Sequence, residues 1–87
     1  MSNKTVFSVL DSAANAFGNP FVVNHLGIAL RAFTDQVNSE SGGDLFNHPA
    51  DFALYQIGEY DDTTGVITPL TPPKLIVQAA SLKNVRE

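Results

Sequence analysis

The chain has 87 residues and a mass of 9.3 kDa, with 44% hydrophobic residues, which allows one folded domain and argues against disorder as the overall state. Five Lys and Arg against nine Asp and Glu give a formal net charge of -4, so a generic electrostatic grip on nucleic acid or anionic membrane is disfavoured. There is no cysteine, hence no disulfide framework and no thiolate metal site, and at roughly 1.5 kcal/mol of ordering cost per residue a chain this short ends near balance. A well-used core or self-association, with a dimer favoured, has to supply the remaining stability. No apolar run approaches the roughly 20 residues that span a bilayer. Met1-Ser2-Asn3-Lys4 carries one cation, and the apolar stretch after it is broken by Ser8 and Asp11, so a secretory signal is not expected and the cytoplasm is.

Thr5-Val6-Phe7-Ser8-Val9-Leu10 is β-branched and aromatic, bounded by Asp11-Ser12, and reads as a strand at the centre of a sheet or covered on both sides. Gly18-Asn19-Pro20 is a turn signal, and Phe21-Val22-Val23 a short extended segment. Asn24 is placed to cap a helix whose apolar positions Leu26, Ala29, Leu30, Phe33 and Val37 follow helical spacing. Arg31, Thr34, Asp35 and Asn38 fall on its outer face, with Arg31 and Asp35 spaced as an i, i+4 ion pair. The helix is expected to stop before Gly42-Gly43, in a flexible loop.

His48-Pro49-Ala50-Asp51 reads as a turn or a single helical turn opened by Pro49. Phe52 to Tyr60 is a strand with Ala53, Tyr55 and Ile57 on one face and Phe52, Leu54 and Tyr60 on the other. Asp61-Asp62-Thr63-Thr64-Gly65 supplies a turn with a glycine at a left-handed position, and Val66-Ile67-Thr68 returns as the partner strand. Thr71-Pro72-Pro73 is expected to end this hairpin, and Lys74 to Ala80 to form a further strand. The predicted class is α+β: a small, mainly antiparallel sheet of three to four strands with one helix packed on one face. Residues 1–82 form a single domain in this reading, and 83–87 a charged, frayed tail. One helix cannot cover both faces of such a sheet, so the second face is either polar or buried against another molecule.

Chemistry finds little support in the residue patterns. His25 and His48 are 23 positions apart, with only Asp44 and Asp51 near His48, which falls short of a metal site; His48 is better explained as a loop residue bonding to backbone. No Ser/His/Asp or Cys/His signature and no phosphate-binding glycine pattern occurs, and the paired carboxylates Asp61 and Asp62 belong to a hairpin turn. No enzymatic activity, cofactor, metal or small-molecule substrate is therefore expected. Single-stranded nucleic acid needs cations beside exposed rings. Lys74, Lys83 and Arg86 cluster in the last fourteen residues, seven of the nine acids precede Asp62, and either Tyr55 or Tyr60 should be exposed if the two lie on opposite faces. A protein contact on the uncovered sheet face is the stronger alternative.

Five segments, read in order, carry a resemblance: Phe7-Ser8-Val9-Leu10-Asp11, Ala16-Phe17-Gly18-Asn19-Pro20-Phe21, Arg31 to Asn38, His48 to Tyr55, and Ile57 to Gly65. In order and spacing they resemble the small non-structural protein of gokushovirus-type microviruses, tailless icosahedral phages with single-stranded DNA genomes. The likeness spans positions 5 to 80; Ser39 to Phe46 contributes nothing to it. It implies a non-enzymatic phage accessory protein in the host bacterial cytoplasm, helping viral DNA replication or the switch to single-stranded DNA synthesis and packaging. Partners implied are a second copy, phage or host replication proteins, or single-stranded DNA, without membrane attachment. No catalytic or cofactor residue comes with the resemblance. Arg31, His48 and Asp51 are polar matches without a core role and are the first candidates for contacts, joined by Tyr55, Tyr60, Lys74, Lys83 and Arg86 for a DNA or partner surface.

Overall fold

The structure, a computed structural model, describes residues 3–83. Strand β1 (Asn3–Asp11) is followed by two short strands, β2 (Ala16–Phe17) and β3 (Phe21–Val23), and by helix α1 (Leu26–Val37). A 3-10 turn (Glu40–Gly42), the one-turn helix α2 (Asp44–Asn47) and a second 3-10 turn (Pro49–Asp51) lead into β4 (Phe52–Asp61). The long strand β5 (Val66–Gln78) and a 3-10 turn (Ala79–Leu82) complete the order. All strands form one antiparallel sheet in the order β2-β1-β4-β5, with β3 also paired to β1. The predicted α+β class holds, with five strands because β2 and β3 lie end to end along the free side of β1.

β1 is central, as its apolar run predicts. β4 pairs along one side of it, while Leu10↔Phe17 and Thr5↔Val23 set the register of β2 and β3 on the other. The β1–β2 turn is held by Asp11, whose Oδ1 accepts the N–H groups of Ala13 and Ala14 at 3.1 and 3.2 Å. Ser8 is buried, and its hydroxyl donates to the Gly18 carbonyl at 2.8 Å, so its burial leaves no polar group unpaired. The core joins Phe7 and Leu54 to Ala29, Phe33 and Val37 of α1, with Ala79 closing one end.

Spacing of i, i+4, i+8 puts Ala29, Phe33 and Val37 on one helical stripe, while Leu26, expected in that stripe, is 42% exposed. Arg31 and Asp35 form no ion pair; among the described residues that bond joins Lys4 to Asp62 at 3.4 Å. His25, not Asn24, occupies the N-cap, with extended backbone and no side-chain bond to the first turn. The Asn24 side chain is engaged elsewhere, its Oδ1 accepting Lys4 Nζ at 2.7 Å. Because an aspartate at this position can accept a first-turn N–H, His25→Asp is expected to stabilise the fold by about 1 kcal/mol. Urea unfolding followed by circular dichroism measures this directly.

The β4–β5 turn forms as its residues predict. Asp61 Oδ1 accepts the Thr63 N–H at 2.9 Å, the Gly65 N–H reaches the Asp61 carbonyl at 2.7 Å, and Gly65 has φ 79°, a left-handed value open to glycine. The proline run, by contrast, does not end the hairpin. β5 continues through it: Gly58 pairs with Pro69 and Gln56 with Lys74, so Leu70 to Pro73 bulge out opposite Ile57. Prolines have no N–H for a ladder, and a bulge on an edge strand is where their absence costs least. The predicted strand from Lys74 is the second half of β5 and ends at Gln78, where Ala79–Leu82 turns into a 3-10 segment.

That last segment anchors against the end of α1. Asn38 Nδ2 donates to the Leu82 carbonyl at 2.9 Å, and Lys83 Nζ donates to the carbonyls of Val37 and Phe46 at 3.1 and 2.8 Å. The same ammonium sits 3.5 Å from the centroid of the Phe46 ring. It therefore satisfies carbonyls at the end of α1 and of α2, where cations are favoured.

Candidate functional site

Residues directly opposite each other in antiparallel strands share a face, so the register assigns every strand position to a side. Phe7, Val9 and Leu54 face α1; Val6, Ser8, Leu10 and Ala53 face away. Between Val6 and Phe7 the pairing jumps from Gly58 to Gln56, leaving Ile57 as an extra residue in β4. An inserted residue reverses the alternation beyond it. Tyr55 pairs with Ser8 and Tyr60 with Lys4, so both tyrosines lie on the face away from the helix. Simple alternation, which places them on opposite faces, is corrected by this bulge.

The same face collects apolar side chains from every strand. Phe17 lies opposite Leu10, Val22 opposite Val6, Leu75 opposite Tyr55 and Ile67 opposite Tyr60. Phe17 and Tyr55 meet edge to face, ring centroids 5.4 Å apart at 82°. Phe17 is 45% exposed, Val22 44%, Ile67 60% and Leu75 46%, so large apolar side chains of β2, β3 and β5 reach solvent on this face, around the buried Val6, Ser8 and Ala53. At one end a cavity of about 260 Å³ is lined by Leu10, Ser12, Asp51, Ala53, Tyr55 and Gln78. Neither Phe17 nor Val22 stands out in the sequence, since Phe17 adjoins a turn and Val22 sits in a three-residue extended segment; their pairing with β1 is what turns them into the patch.

The polar candidates do not assemble with it. Arg31 is exposed in the middle of α1, on the covered side of the sheet. His48 is exposed between α2 and the following turn, where its N–H donates to the Asp44 carbonyl at 2.7 Å and its carbonyl accepts the Asp51 N–H at 3.0 Å. The Asp51 carbonyl accepts both the N–H and the hydroxyl of Ser12, at 2.8 and 3.0 Å, so Asp51 ties β4 to the β1 turn through its backbone. No side-chain hydrogen bond or ion pair joins Arg31, His48 and Asp51. Lys74 pairs with Gln56, which pairs with Phe7, and this puts it on the helix-side parity, away from the tyrosines. Lys83 is committed to the carbonyls described above, and Arg86 lies outside the described residues. Among the described residues the one cation that shares the tyrosine face is Lys4, already paired with Asp62 and Asn24.

Among the described residues no group of three or more His, Asp or Glu side chains is placed to hold a metal ion. No helix among them is long and apolar enough to cross a membrane. What the arrangement offers is an aromatic and aliphatic surface with little charge, of the kind that suits a contact.

No curated protein and no solved structure matches the chain. A family model described as phage ORF5 protein matches residues 4–82, from within β1 to the end of the last 3-10 turn. With nearly the whole described chain inside that match, this protein belongs to the phage ORF5 protein family.

Proposed function

We propose that this phage protein is a non-enzymatic accessory factor of a gokushovirus-type microvirus, acting in the host bacterial cytoplasm through protein contacts made by the sheet face away from α1. Its task in this reading is to assist viral DNA replication or the switch to single-stranded DNA synthesis and packaging. The observation that supports it is the patch of Phe17, Val22, Ile67 and Leu75 around the two tyrosines, a surface that is costly to leave in water. Phage carrying Leu75→Glu or Ile67→Glu are expected to yield at least about tenfold less single-stranded progeny DNA, because a charge buried in a contact removes most of its affinity. Progeny DNA is measured beside the cellular level of the protein. Normal yields from both variants at normal protein levels would overturn the reading.

A second reading, single-stranded DNA binding, is favoured by one observation: Phe17, Tyr55 and Tyr60 share a face, as a base-stacking platform requires. Lys74 and Lys83, expected to accompany them, are elsewhere. Titration with labelled single strand at about 50 mM salt, where phosphate contacts are strongest, is expected to show no saturable binding. Binding lost in Tyr55→Ala would reverse the order of the two readings.

A further inference from the structure

We infer that a second copy of this chain covers the sheet face, packed face to face about a two-fold axis; this names the partner of the surface proposed above and rests on that reading. The edges of the sheet are poor sites for pairing. β5 interrupts its outer edge with Pro69, Pro72 and Pro73, and the opposite edge is divided between the two-residue β2 and the three-residue β3 by the turn ending in Pro20. Prolines and short, broken edges deny another chain a continuous ladder, which leaves the face as the route to association. Two such faces pack with interdigitated side chains, as in a β-sandwich.

Area and charge both suit a second copy. A standard interface takes about 800 Å² from each partner, and at about 65% apolar for a homodimer that is roughly 500 Å² of apolar surface. Phe17, Val22, Ile67 and Leu75 at 44–60% exposure, with the half-buried Leu10, Tyr55 and Tyr60, offer on the order of 400–500 Å². A two-fold interface brings equivalent patches together, so unbalanced charge on the patch would meet its own sign. Here Lys4 is neutralised by Asp62, whereas Glu59 pairs with Thr5 and Asp61 with Asn3 on the other parity. Among the described residues Glu59 and Asp61 thus lie away from this face, Asp62 is balanced there by Lys4, and Asp51 reaches only the cavity at its end, so the patch offers little unbalanced charge to a basic protein or a nucleic acid.

Sedimentation equilibrium of the full chain over about 1–200 μM, a range that brackets ordinary dimer affinities, is expected to give twice the 9.3 kDa monomer mass. Leu75→Glu and Ile67→Glu, both exposed and therefore compatible with folding, are expected to weaken the dimer at least about tenfold. Ile28→Glu, on α1 and 41% exposed, is expected to leave it unchanged. Circular dichroism confirms that each variant is folded. A wild-type monomer throughout the range overturns the inference, as does a dimer indifferent to both face substitutions. A monomeric wild type whose Leu75→Glu phage still lose progeny DNA removes the second copy and keeps the contact surface. Normal phage yields from variants that have become monomeric do the reverse.

Discussion

Gly58→Ala is expected to destabilise the protein by about 2–3 kcal/mol, one of the largest effects open to a single methyl group in this fold. A Cβ at Gly58 would stand 2.7 Å from the Thr68 carbonyl oxygen and 3.4 Å from the Pro69 Cα. Both belong to the backbone of β5, so no rotamer change relieves the contact, and β4 and β5 have to separate where they are already irregular. Gly58 is buried and adjoins Ile57, the extra residue that brings Tyr60 onto the tyrosine face. The substitution should therefore lower the urea midpoint and, as the hairpin beyond it shifts, weaken self-association as well. The neighbouring Glu59, exposed on the other parity, supplies the control: Glu59→Ala is expected to change stability by no more than about 0.5 kcal/mol. Equal midpoints for Gly58→Ala and Glu59→Ala would contradict the tight approach of the two strands.

Lys83→Met is expected to cost about 2–3 kcal/mol, since the ammonium makes two charge-assisted bonds and a ring contact at once. Methionine keeps most of the apolar stem, so the loss reports on the charged end. Without it the carbonyls of Val37 and Phe46 lose a donor where α1, α2 and the residue after the last 3-10 turn meet. Guanidinium unfolding should show a lower midpoint with little change in slope, the signature of lost stability and not of altered compactness. A DNA-contact role for Lys83 makes the opposite forecast, unchanged stability with weakened strand binding, so the same variant separates the two.

Much of the architecture can be read from local chemistry. The apolar run of Thr5 to Leu10 places β1 at the centre, Ala29, Phe33 and Val37 seat α1, and Asp61 to Gly65 close the hairpin. In each case the determining interactions lie within a few residues of one another, so spacing and turn chemistry suffice. Asn24 shows the limit even at short range: it has the chemistry of a cap, yet a lysine twenty positions away takes its oxygen.

The candidate surface was less legible, for reasons of registry. Tyr55 and Tyr60 are five residues apart, and strict alternation parts them; the extra residue at Ile57 exists only because β1 pairs with Gly58 on one side of it and Gln56 on the other. Phe17 and Val22 become part of a patch only by lying beside Leu10 and Val6. Lys83, grouped by sequence with the cations of the chain end, is drawn into the helix terminus by carbonyls contributed by residues near 37 and 46.

The sequence by itself determined the α+β class, the central strand, the helix, the hairpin turn, and a chain too short of helices to cover both faces of its sheet. Which side chains populate the uncovered face, that a proline run sits inside β5, and that Lys4 and Lys83 are taken up by Asp62 and by the helix-end carbonyls were settled only by the way distant segments meet. Alternation, capping and turn geometry are local properties, whereas bulges, strand pairing and the docking of a distant lysine depend on which segments meet.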